Sequence, residues 1–323
     1  MHQSEKGKSG RIQRYRRLIV RRSSSQPLEK QTVSFIINPI SGTRNKDSWP
    51  EIIHRTVDKS RFDVRIFFTE RAGHATELAR RQVNKYIPYI VAIGGDGTVN
   101  EVANAVRDTS TVMGIVPCGS GNGLARHLRI PLKLSDALSL INKASVVSID
   151  YGMVNHHPFF CTFGLGFDAH ISQSFAKSKK RGFRTYLTII IREFFKYRPR
   201  KYKLTIDGKK FKTKALTVTI ANSAQYGNNG YISPHADIAD GKLDVCIVRP
   251  FPKFRAAFLG IRLLRKSIDK SSYYRMIKGK KIIIKRKHDD NVHLDGEPYK
   301  MGKKLKINIV SKGLKVIVGN DFL

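Results

Sequence analysis

The chain has 323 residues, 41% of them hydrophobic, so it can bury one large core or two medium ones, and two domains are the better expectation. Sixty Lys and Arg against 25 Asp and Glu leave +35, which indicates a polyanionic partner: nucleic acid, nucleotide phosphates or an anionic membrane. Three separated cysteines without a CxxC pair predict neither a zinc site nor disulfides and favour a reducing cytosol. No apolar run reaches about 18 residues, which argues against a membrane-spanning helix.

The first 31 residues carry nine Lys or Arg and two Glu, and they lack the apolar core of a signal peptide. We predict that residues 1–31 form a disordered basic head, either a solvated tail or an electrostatic tether. Without the head, 51 basic and 23 acidic residues remain, so the rest of the chain still carries +28.

From Val33 onward, short β-branched or aromatic runs alternate with longer amphipathic stretches, as in βα units around a mostly parallel sheet. Four strands with three helical crossovers predict a doubly wound α/β domain over residues 32–150. The predicted strands are Val33–Ile37, Phe62–Phe68, Tyr89–Ile93 and Val112–Val116, and the predicted helices span about 48–58, 75–84 and 99–107.

After Asp150 the pattern changes to short strands separated by turns, which predicts a second, predominantly β, sandwich-like domain over residues 151–304. The strands predicted after Asp150 are Tyr202–Ile206, Ala215–Ile220, Leu243–Val248 and Lys281–Lys285, followed beyond this domain by Leu305–Val310 and Leu314–Val318.

One amphipathic helix, from about Lys253 to Ser267, interrupts the β region. A helix with one apolar face can either pack on the core or face a membrane, and we favour packing on the core. The residues of that face are Phe254, Phe258, Ile261 and Leu264.

A glycine-rich turn follows the third predicted strand and leads into a helix: Gly94, Gly95, Asp96, Gly97 and Thr98. Glycines let backbone N–H groups and the positive end of a helix approach phosphate oxygens. Three glycines around one carboxylate exceed what a simple turn needs, so we interpret this segment as a phosphate-binding turn.

Similar turns follow the other strands, at residues 38–42 and 117–123, and Thr69 follows the second strand. Turns at the carboxyl ends of parallel strands line one crevice, so we expect them to face the same ligand. A GxxxxGK[ST] element is absent, as are the HRD and DFG motifs, which excludes a P-loop kinase and a protein kinase.

The segment Gly94 to Glu101, GGDGTVNE, resembles the signature of the diacylglycerol kinase catalytic domain family, which also contains sphingosine and ceramide kinases. Further motifs match in order over about residues 32–320: Asn38 to Gly42, Gly119 to Asn122, Gly164 to Ala169, Asp237 to Asp244, and Asp295 to Glu297.

The resemblance implies an ATP-dependent lipid kinase that uses Mg²⁺, with an α/β nucleotide domain, a β-rich domain, an active site in the cleft between them, and final strands, about 305–323, that return to the first domain. It also implies that Asp237, Asp240 and the backbone of Lys242 bind Mg²⁺ and that Glu297 accepts a proton. The residues expected at the nucleotide are Asn38, Pro39, Ser41, Gly42, Thr69, Gly94, Gly95, Asp96, Gly97, Thr98, Asn100, Glu101 and Ser120.

Phosphoryl transfer needs an aligned hydroxyl, a carboxylate to take its proton and a cation to offset charge. Asp96, Asp295 and Glu297 are the natural catalytic carboxylates in so basic a chain. Taken alone, the Asp295-Gly296-Glu297 segment is equally typical of an ordinary hairpin turn, and Asp240-Gly241 has the same ambiguity.

The acceptor lipid is either diacylglycerol or a sphingoid or ceramide-like molecule. Residues 119–125, GSGNGLA, look more like the sphingosine and ceramide kinase branch. Asp168 would suit a sphingoid ammonium group, or it could cap a helix that begins near Ala169. None of the ten histidines has the spacing of a metal pair, and we treat His127, His170 and His235 as structural.

Two other functions fit parts of the sequence. An NAD kinase shares a GGDG turn, although the residues that follow, Asn100 and Glu101, favour the lipid branch. A nucleic-acid binder would use the charge alone, but no recognised module is present, and we expect no specific nucleic-acid partner. We therefore expect a cytoplasmic enzyme associated peripherally, through charge, with an anionic membrane that contains its lipid substrate. The sequence leaves the oligomeric state open.

Overall fold

A computed structural model describes residues 29–42, 46–178 and 183–322. Residues 1–28 of the predicted basic head lie outside this range. The described chain forms two compact units. The first contains the residues up to Gly119, Leu128–Ile149 and the residues from Gly313 onward, and the second contains Ser120–His127 and Asp150–Lys312.

The first unit is built from βα repeats, as the sequence predicts. The strands are β1 (Gln31–Ile37), β2 (Phe62–Phe68), β3 (Tyr89–Gly94) and β4 (Val112–Pro117). The helices are α1 (Trp49–Thr56), α2 (His74–Asn84), α3 (Asp96–Val106) and, later in the chain, α5 (Leu134–Lys143).

The sheet of this unit is parallel, in the order β2-β1-β3-β4, and the end of the last strand pairs in parallel with β4 through Lys315 and Val316. β1, β3 and β4 are nearly continuous runs of buried residues, as expected for strands covered on both faces. Parallel pairing places the carboxyl ends of β1, β3 and β4 at one edge, and the glycine turns follow there.

The second unit begins with the short helix α4 (Gly123–His127) and is otherwise mostly antiparallel β. Two further helices, α6 (Phe167–Ala176) and α7 (Phe183–Phe194), follow β7, and α8 (Ala256–Leu264) continues a 3₁₀ turn, Lys253–Arg255. A second 3₁₀ turn spans Ile268–Lys270. The strands are β5 (Val146–Val154), β6 (His157–Phe159), β7 (Thr162–Gly166), β8 (Arg200–Ile206), β9 (Lys209–Ala215), β10 (Thr217–Ala221), β11 (Leu243–Val248), β12 (Tyr274–Gly279), β13 (Lys281–Lys285), β14 (Asp290–Leu294), β15 (Glu297–Met301) and β16 (Lys304–Ile317).

The strands of this unit form two layers that share one core. One layer has the order β12-β11-β10-β7-β14-β15, and the other pairs β9, β8, β13 and the first part of β16. Val218 and Val245 from the first layer and Ile284 and Ile307 from the second belong to the same cluster of buried apolar side chains. The sequence-based prediction of an α/β domain followed by a β sandwich is therefore confirmed.

The last strand differs from the prediction. Residues 305–310 and 314–318 were predicted as two strands, whereas β16 runs without a break from Lys304 to Ile317. Its first part belongs to the second unit, and from Gly313 the chain belongs to the first. The change of unit occurs within this strand, between Lys312, whose φ of +57° departs from strand geometry, and Gly313.

The helix after β11 shows a second difference. The face predicted to pack on the core, Phe254, Phe258, Ile261 and Leu264, is exposed to solvent. Leu259 is buried instead, and Leu263, one turn later, packs partly against the same cluster. The helix is apolar nearly all round, so two faces could have packed on the core, and the pattern alone could not decide between them. Within the described residues, no helix combines the length and apolar character needed to span a bilayer.

Candidate functional site

Three turns follow β1, β3 and β4, and the first unit brings them into contact. A Cβ atom at Gly42, where φ is +69°, would lie 2.3 Å from the Cys118 carbonyl oxygen. A Cβ atom at Gly95 would lie 3.4 Å from the Cα of Gly119. The turns can therefore approach so closely only with glycine at Gly42, and with little room to spare at Gly95.

Hydrogen bonds hold the turn after β1. The Asn38 side-chain amide donates to the Thr98 hydroxyl at 3.1 Å, and the Asn38 carboxamide oxygen accepts from the Ile40 N–H at 3.1 Å. The Ser41 hydroxyl donates to the Asn38 carbonyl at 3.0 Å. Asn38 thus joins the turns after β1 and β3 and also shapes its own turn, which is a structural role for a residue predicted to contact the nucleotide.

Asp96 is the first residue of α3, and the chain enters that helix from the Gly94-Gly95 turn. Gly95, at the N-cap position, has no side chain with which to bond the first N–H groups of the helix. A Cβ atom at Gly94 would lie 2.5 Å from the Thr98 side chain, so glycine is required there for steric reasons as well. The helix N-terminus and its turn form the arrangement that binds phosphate in other proteins.

Glu101 was predicted at the nucleotide, but the structure places its carboxylate at another helix. Glu101 accepts hydrogen bonds from the backbone N–H groups of Gly73 at 2.9 Å and Ala75 at 3.1 Å. These residues open α2, whose N-cap position, Gly73, has no side-chain cap of its own. Glu101 therefore serves as the N-terminal cap of α2, across 26 to 28 positions in the chain.

Lys46 belongs to the same region and was missed by the sequence analysis. Its ammonium group donates to the Pro39 carbonyl at 3.1 Å and to the Ser41 carbonyl, and it lies 5.3 Å from the Trp49 ring centroid. Burial lowers the pKa of this lysine, which the nearby Cys118 partly offsets. A lone lysine in a chain with 60 basic residues carries no motif, so only the fold reveals this cation beneath the β1 turn.

The other predicted nucleotide residues divide between the units. Thr69 is buried, and its backbone N–H donates to the Ile37 carbonyl at 2.9 Å. Asn100 lies within α3. Ser120 is exposed and belongs to the second unit.

In the second unit, the Asp295-Gly296-Glu297 turn connects β14 to β15. The Asp295 carboxylate accepts three backbone N–H groups, from Phe160 at 2.8 Å, Cys161 at 2.7 Å and Thr162 at 2.8 Å. Burial raises the pKa of Asp295, although these three bonds oppose the rise. Glu297 is exposed at the first position of β15. The two acidic residues thus differ: Asp295 holds the turn, and Glu297 faces solvent.

A buried polar cluster lies beside this turn. The Asp168 Oδ2 accepts from the Thr219 hydroxyl at 2.8 Å and lies 3.3 Å from both Tyr226 OH and His293 Nε2. The His293 Nδ1 accepts the Gly296 N–H at 3.3 Å, so its proton resides on Nε2 and is donated to Asp168. His293 is a functional candidate that the sequence analysis missed, because its importance comes only from these contacts.

The strand β7 makes room for this cluster. A Cβ atom at Gly164 would lie 2.1 Å from His293 Nε2 and 2.2 Å from the Asp168 carboxylate. Asp168 Oδ1 accepts the Ala169 N–H at 2.8 Å within the first turn of α6, which begins at Phe167 rather than near Ala169. Gly166 is the N-cap residue of this helix, so Asp168 lies within its first turn and not at the cap position that was predicted for it.

The loop predicted to hold Mg²⁺ contains a lysine contact. Lys278 Nζ lies 2.7 Å from Asp240 Oδ2 and 3.3 Å from Asp244 Oδ1, and the Lys242 N–H donates to Asp240 Oδ1 at 2.9 Å. Partial burial lowers the pKa of Lys278, but the hydrogen bond to Asp240 and the charge of Asp244 outweigh it, so the net pKa is raised. Asp237 Oδ1 accepts the Ala239 N–H at 3.0 Å.

The Asp150 carboxylate lies nearby. Its two oxygens accept hydrogen bonds from the backbone N–H groups of Gly241 and Lys312, each at 2.7 Å. Among the described residues, no three His, Cys, Asp or Glu side chains are grouped to hold a metal ion. The partners of Asp240 thus fit an ion pair with Lys278, and the Mg²⁺ ligand set stays a prediction.

The histidines treated as structural have protein partners. His127 Nδ1 accepts the Ala224 N–H at 3.1 Å, His170 contacts Glu193 at 3.0 Å, and His235 lies 3.6 Å from Asp269. Cys118, Cys161 and Cys246 form no disulfide with one another.

Comparisons with known proteins match both units. Residues 32–154 match the diacylglycerol kinase catalytic domain, and residues 162–318 match the YegS C-terminal NAD kinase beta sandwich-like domain. A diacylglycerol kinase of Staphylococcus aureus is 26% identical over 305 residues, 91% of this chain and 94% of the relative. A probable lipid kinase YegS-like of Chromohalobacter salexigens is 27% identical and covers 71% of this chain and 76% of the relative.

Among solved structures, a putative diacylglycerol kinase from Bacillus anthracis superposes with a TM-score of 0.75 at 24% identity, over 91% of this chain and 99% of the neighbour. A second diacylglycerol kinase structure from the same organism gives 0.72 at 21% identity, over 91% and 98%. At these identities the superpositions establish a shared fold.

Proposed function

Because the chain belongs to the diacylglycerol kinase catalytic domain family, we propose that it transfers the γ-phosphoryl group of ATP to the hydroxyl of a membrane lipid. The observation that carries the proposal is the contact among the three turns after β1, β3 and β4, where Gly42 lies against Cys118 and Gly95 lies against Gly119. Together with the N-terminus of α3, these turns offer backbone N–H groups and a positive dipole to phosphates.

The nucleotide is assigned to the first unit. Asp96 lies at the start of α3, and Mg²⁺ in nucleotide sites is commonly bound by one or two carboxylates together with the phosphates. Asp96 therefore fits an ion that arrives with ATP, and when bound that ion would offset phosphate charge. Lys46 supports the β1 turn from below and adds a positive charge near the phosphates.

The acceptor is assigned to the second unit. The lipid hydroxyl oxygen forms the new bond to the γ-phosphorus, the bond to the bridging oxygen breaks, and ADP leaves. Glu297 takes the hydroxyl proton, since it is the exposed carboxylate of its turn. Asp295 and His293 position that turn through bonds to the backbone. A general base held by its neighbours in this way loses less motional freedom when the substrate binds.

Diacylglycerol is the acceptor we favour. Two relatives from Staphylococcus aureus that match 91% of this chain are named diacylglycerol kinase. Asp168, which would pair with a sphingoid ammonium group, already accepts hydrogen bonds from protein donors. A sphingoid acceptor remains supported by the resemblance of residues 119–125 to that branch.

Incubation of the purified protein with radiolabelled ATP, Mg²⁺ and separate acceptors tests the proposal. The acceptors are diacylglycerol, a sphingoid base, ceramide, a polyprenol and NAD, the last because the second unit matches an NAD kinase-like sandwich. We expect labelled phosphatidic acid. Label in NAD alone would establish the alternative function, and no labelled product with any acceptor would contradict both.

A further inference from the structure

We propose that the exposed face of α8 is a membrane-docking element that inserts apolar side chains into an anionic bilayer; the proposal rests on the proposed lipid acceptor. Phe254, in the 3₁₀ turn that leads into α8, and Phe258, Ile261 and Leu264, in α8 itself, are between 48% and 81% exposed, and we call these four residues the α8 surface. Large apolar side chains grouped on one face in water mark an interaction site.

The opposite side of α8 packs against the rest of the second unit. Leu259, on the other side of the helix, is only 6% exposed, and it packs with Ile232, Val248 and Ile268. The Leu263 carbonyl accepts the Tyr231 N–H at 2.9 Å. The helix is therefore held to the sandwich through one face, and the exposure of the other face is not a sign of a loose segment.

A neighbouring segment extends the apolar area. Phe194, the last residue of α7, stacks on Phe251 with ring centroids 5.7 Å apart. The Lys253 ammonium donates to the Phe195 carbonyl at 2.8 Å. These contacts join the end of α7 to the start of the 3₁₀ turn, and they bring a further exposed ring, Phe195, to this region.

Basic side chains accompany these rings. The Arg262 guanidinium lies 4.6 Å from the Phe258 centroid, Arg255 lies 5.9 Å from that of Phe254, and Lys253 lies 5.6 Å from that of Phe195. Residues 249–267 contain six Lys or Arg and neither Asp nor Glu. Long basic side chains can place their stems among apolar groups and their charges at lipid phosphates.

The charge and the apolar side chains of this region together indicate which partner binds the α8 surface. A second copy of the chain would bring another six cations to the same face, and like charges at that distance repel. Nucleic acid would satisfy the cations and could stack bases on the rings of Phe254 and Phe258, but it offers no apolar partner to the exposed aliphatic side chains of Ile261 and Leu264. A bilayer with anionic headgroups satisfies both requirements, as for interfacial amphipathic helices.

The test measures sedimentation with vesicles of phosphatidylcholine alone and with 30% phosphatidylglycerol, at about 0.1 and 0.5 M NaCl, where screening removes most surface attraction. The variant Phe258→Ser with Ile261→Ser should lose binding to anionic vesicles on the order of 100-fold, about tenfold for each large apolar group. The double variant should also lose the part of vesicle binding that persists at high salt. The matched control is Tyr86→Ser, an aromatic residue that is 88% exposed in the first unit.

A direct readout comes from Phe258→Trp, since the chain has one other tryptophan, the buried Trp49. Its emission should shift to the blue on anionic vesicles and should be quenched by lipids carrying a doxyl group in the acyl chain. Unchanged emission, or double-variant binding equal to wild type, would overturn the proposal. So would a wild-type dimer that the double variant converts to monomer without any loss of vesicle binding.

Activity on a short-chain diacylglycerol dispersed below its micelle concentration separates the two proposals. The double variant should match wild type on this substrate and should fail only on vesicles. If the wild type phosphorylates no lipid but the vesicle results hold, the proposed function fails while the docking surface stands. Equal loss on both substrates would place the α8 surface in the acceptor site and overturn its docking role.

Discussion

Asp96 is the carboxylate within the glycine turns, and it tests the nucleotide assignment. Asp96→Asn should lower turnover on the order of 100-fold or more, because it removes charge from the phosphate site while preserving shape. The thermal midpoint should change little. The control is Asp136→Asn, which removes a carboxylate from the first turn of another helix, α5. Activity of the Asp96 variant near that of wild type would contradict the placement of Asp96 in the nucleotide site.

Glu101 gives a contrasting prediction from the same motif. Glu101→Ala removes the bonds to Gly73 and Ala75 at the start of α2, so the free energy of unfolding should fall by about 1–2 kcal/mol. Denaturant titration measures this loss, and calorimetry should show nearly unchanged ATP affinity. Weakened ATP binding at unaltered stability would return Glu101 to the nucleotide site.

Substitutions of the two acidic residues in the β14–β15 turn should also affect different properties, one turnover and the other stability. Glu297→Gln keeps the shape of the side chain and removes its proton acceptor, so turnover should fall sharply, with ATP affinity and stability nearly constant. Asp295→Ala leaves three backbone N–H groups without their acceptor and should destabilise the protein by about 2–4 kcal/mol. A Glu297 variant that turns over normally at saturating ATP would exclude it as the base.

At the scale of elements, the ion pairs of Lys278, on β12, with Asp240, in the loop before β11, and with Asp244, in β11, test the metal prediction. Lys278→Met leaves Asp240 and the buried Asp244 without their cation, so stability should fall by about 1–3 kcal/mol, given that Lys278 is partly exposed. Mg²⁺ should then raise the thermal midpoint of the variant, and EDTA should leave wild type unchanged. A wild-type midpoint that falls with EDTA would show instead that this loop binds Mg²⁺.

For the molecule as a whole, the charge of +35 predicts the salt-sensitive part of membrane binding. Each basic residue near an anionic surface contributes about 1 kcal/mol, and the attraction fades beyond a Debye length of about 8 Å. Deletion of residues 1–31 should weaken binding to anionic vesicles at 0.1 M salt without abolishing it, because +28 remains. Vesicle sedimentation across a salt series measures this effect. Binding unaffected by either deletion or salt would indicate that charge contributes little.

The pattern of the sequence by itself determined the layered architecture and the place of the glycine turns. β1, β3 and β4 are buried runs between amphipathic helices, and parallel pairing places their carboxyl ends at one edge whatever the details of packing. Glycines after such strands predict close backbone approaches, and Gly42 and Gly95 make them. These features follow from local periodicity and from the absence of a side chain.

The tertiary structure alone decided what several side chains do. Asp295 binds N–H groups 133 to 135 positions away, and His293 acquires a role only because Gly164 admits it beside Asp168. Packing also decided which face of α8 is buried, because Leu259 rather than Phe258 packs against the core. Periodicity describes neighbours along the chain, whereas these roles depend on which distant backbone groups and cavities the fold brings near.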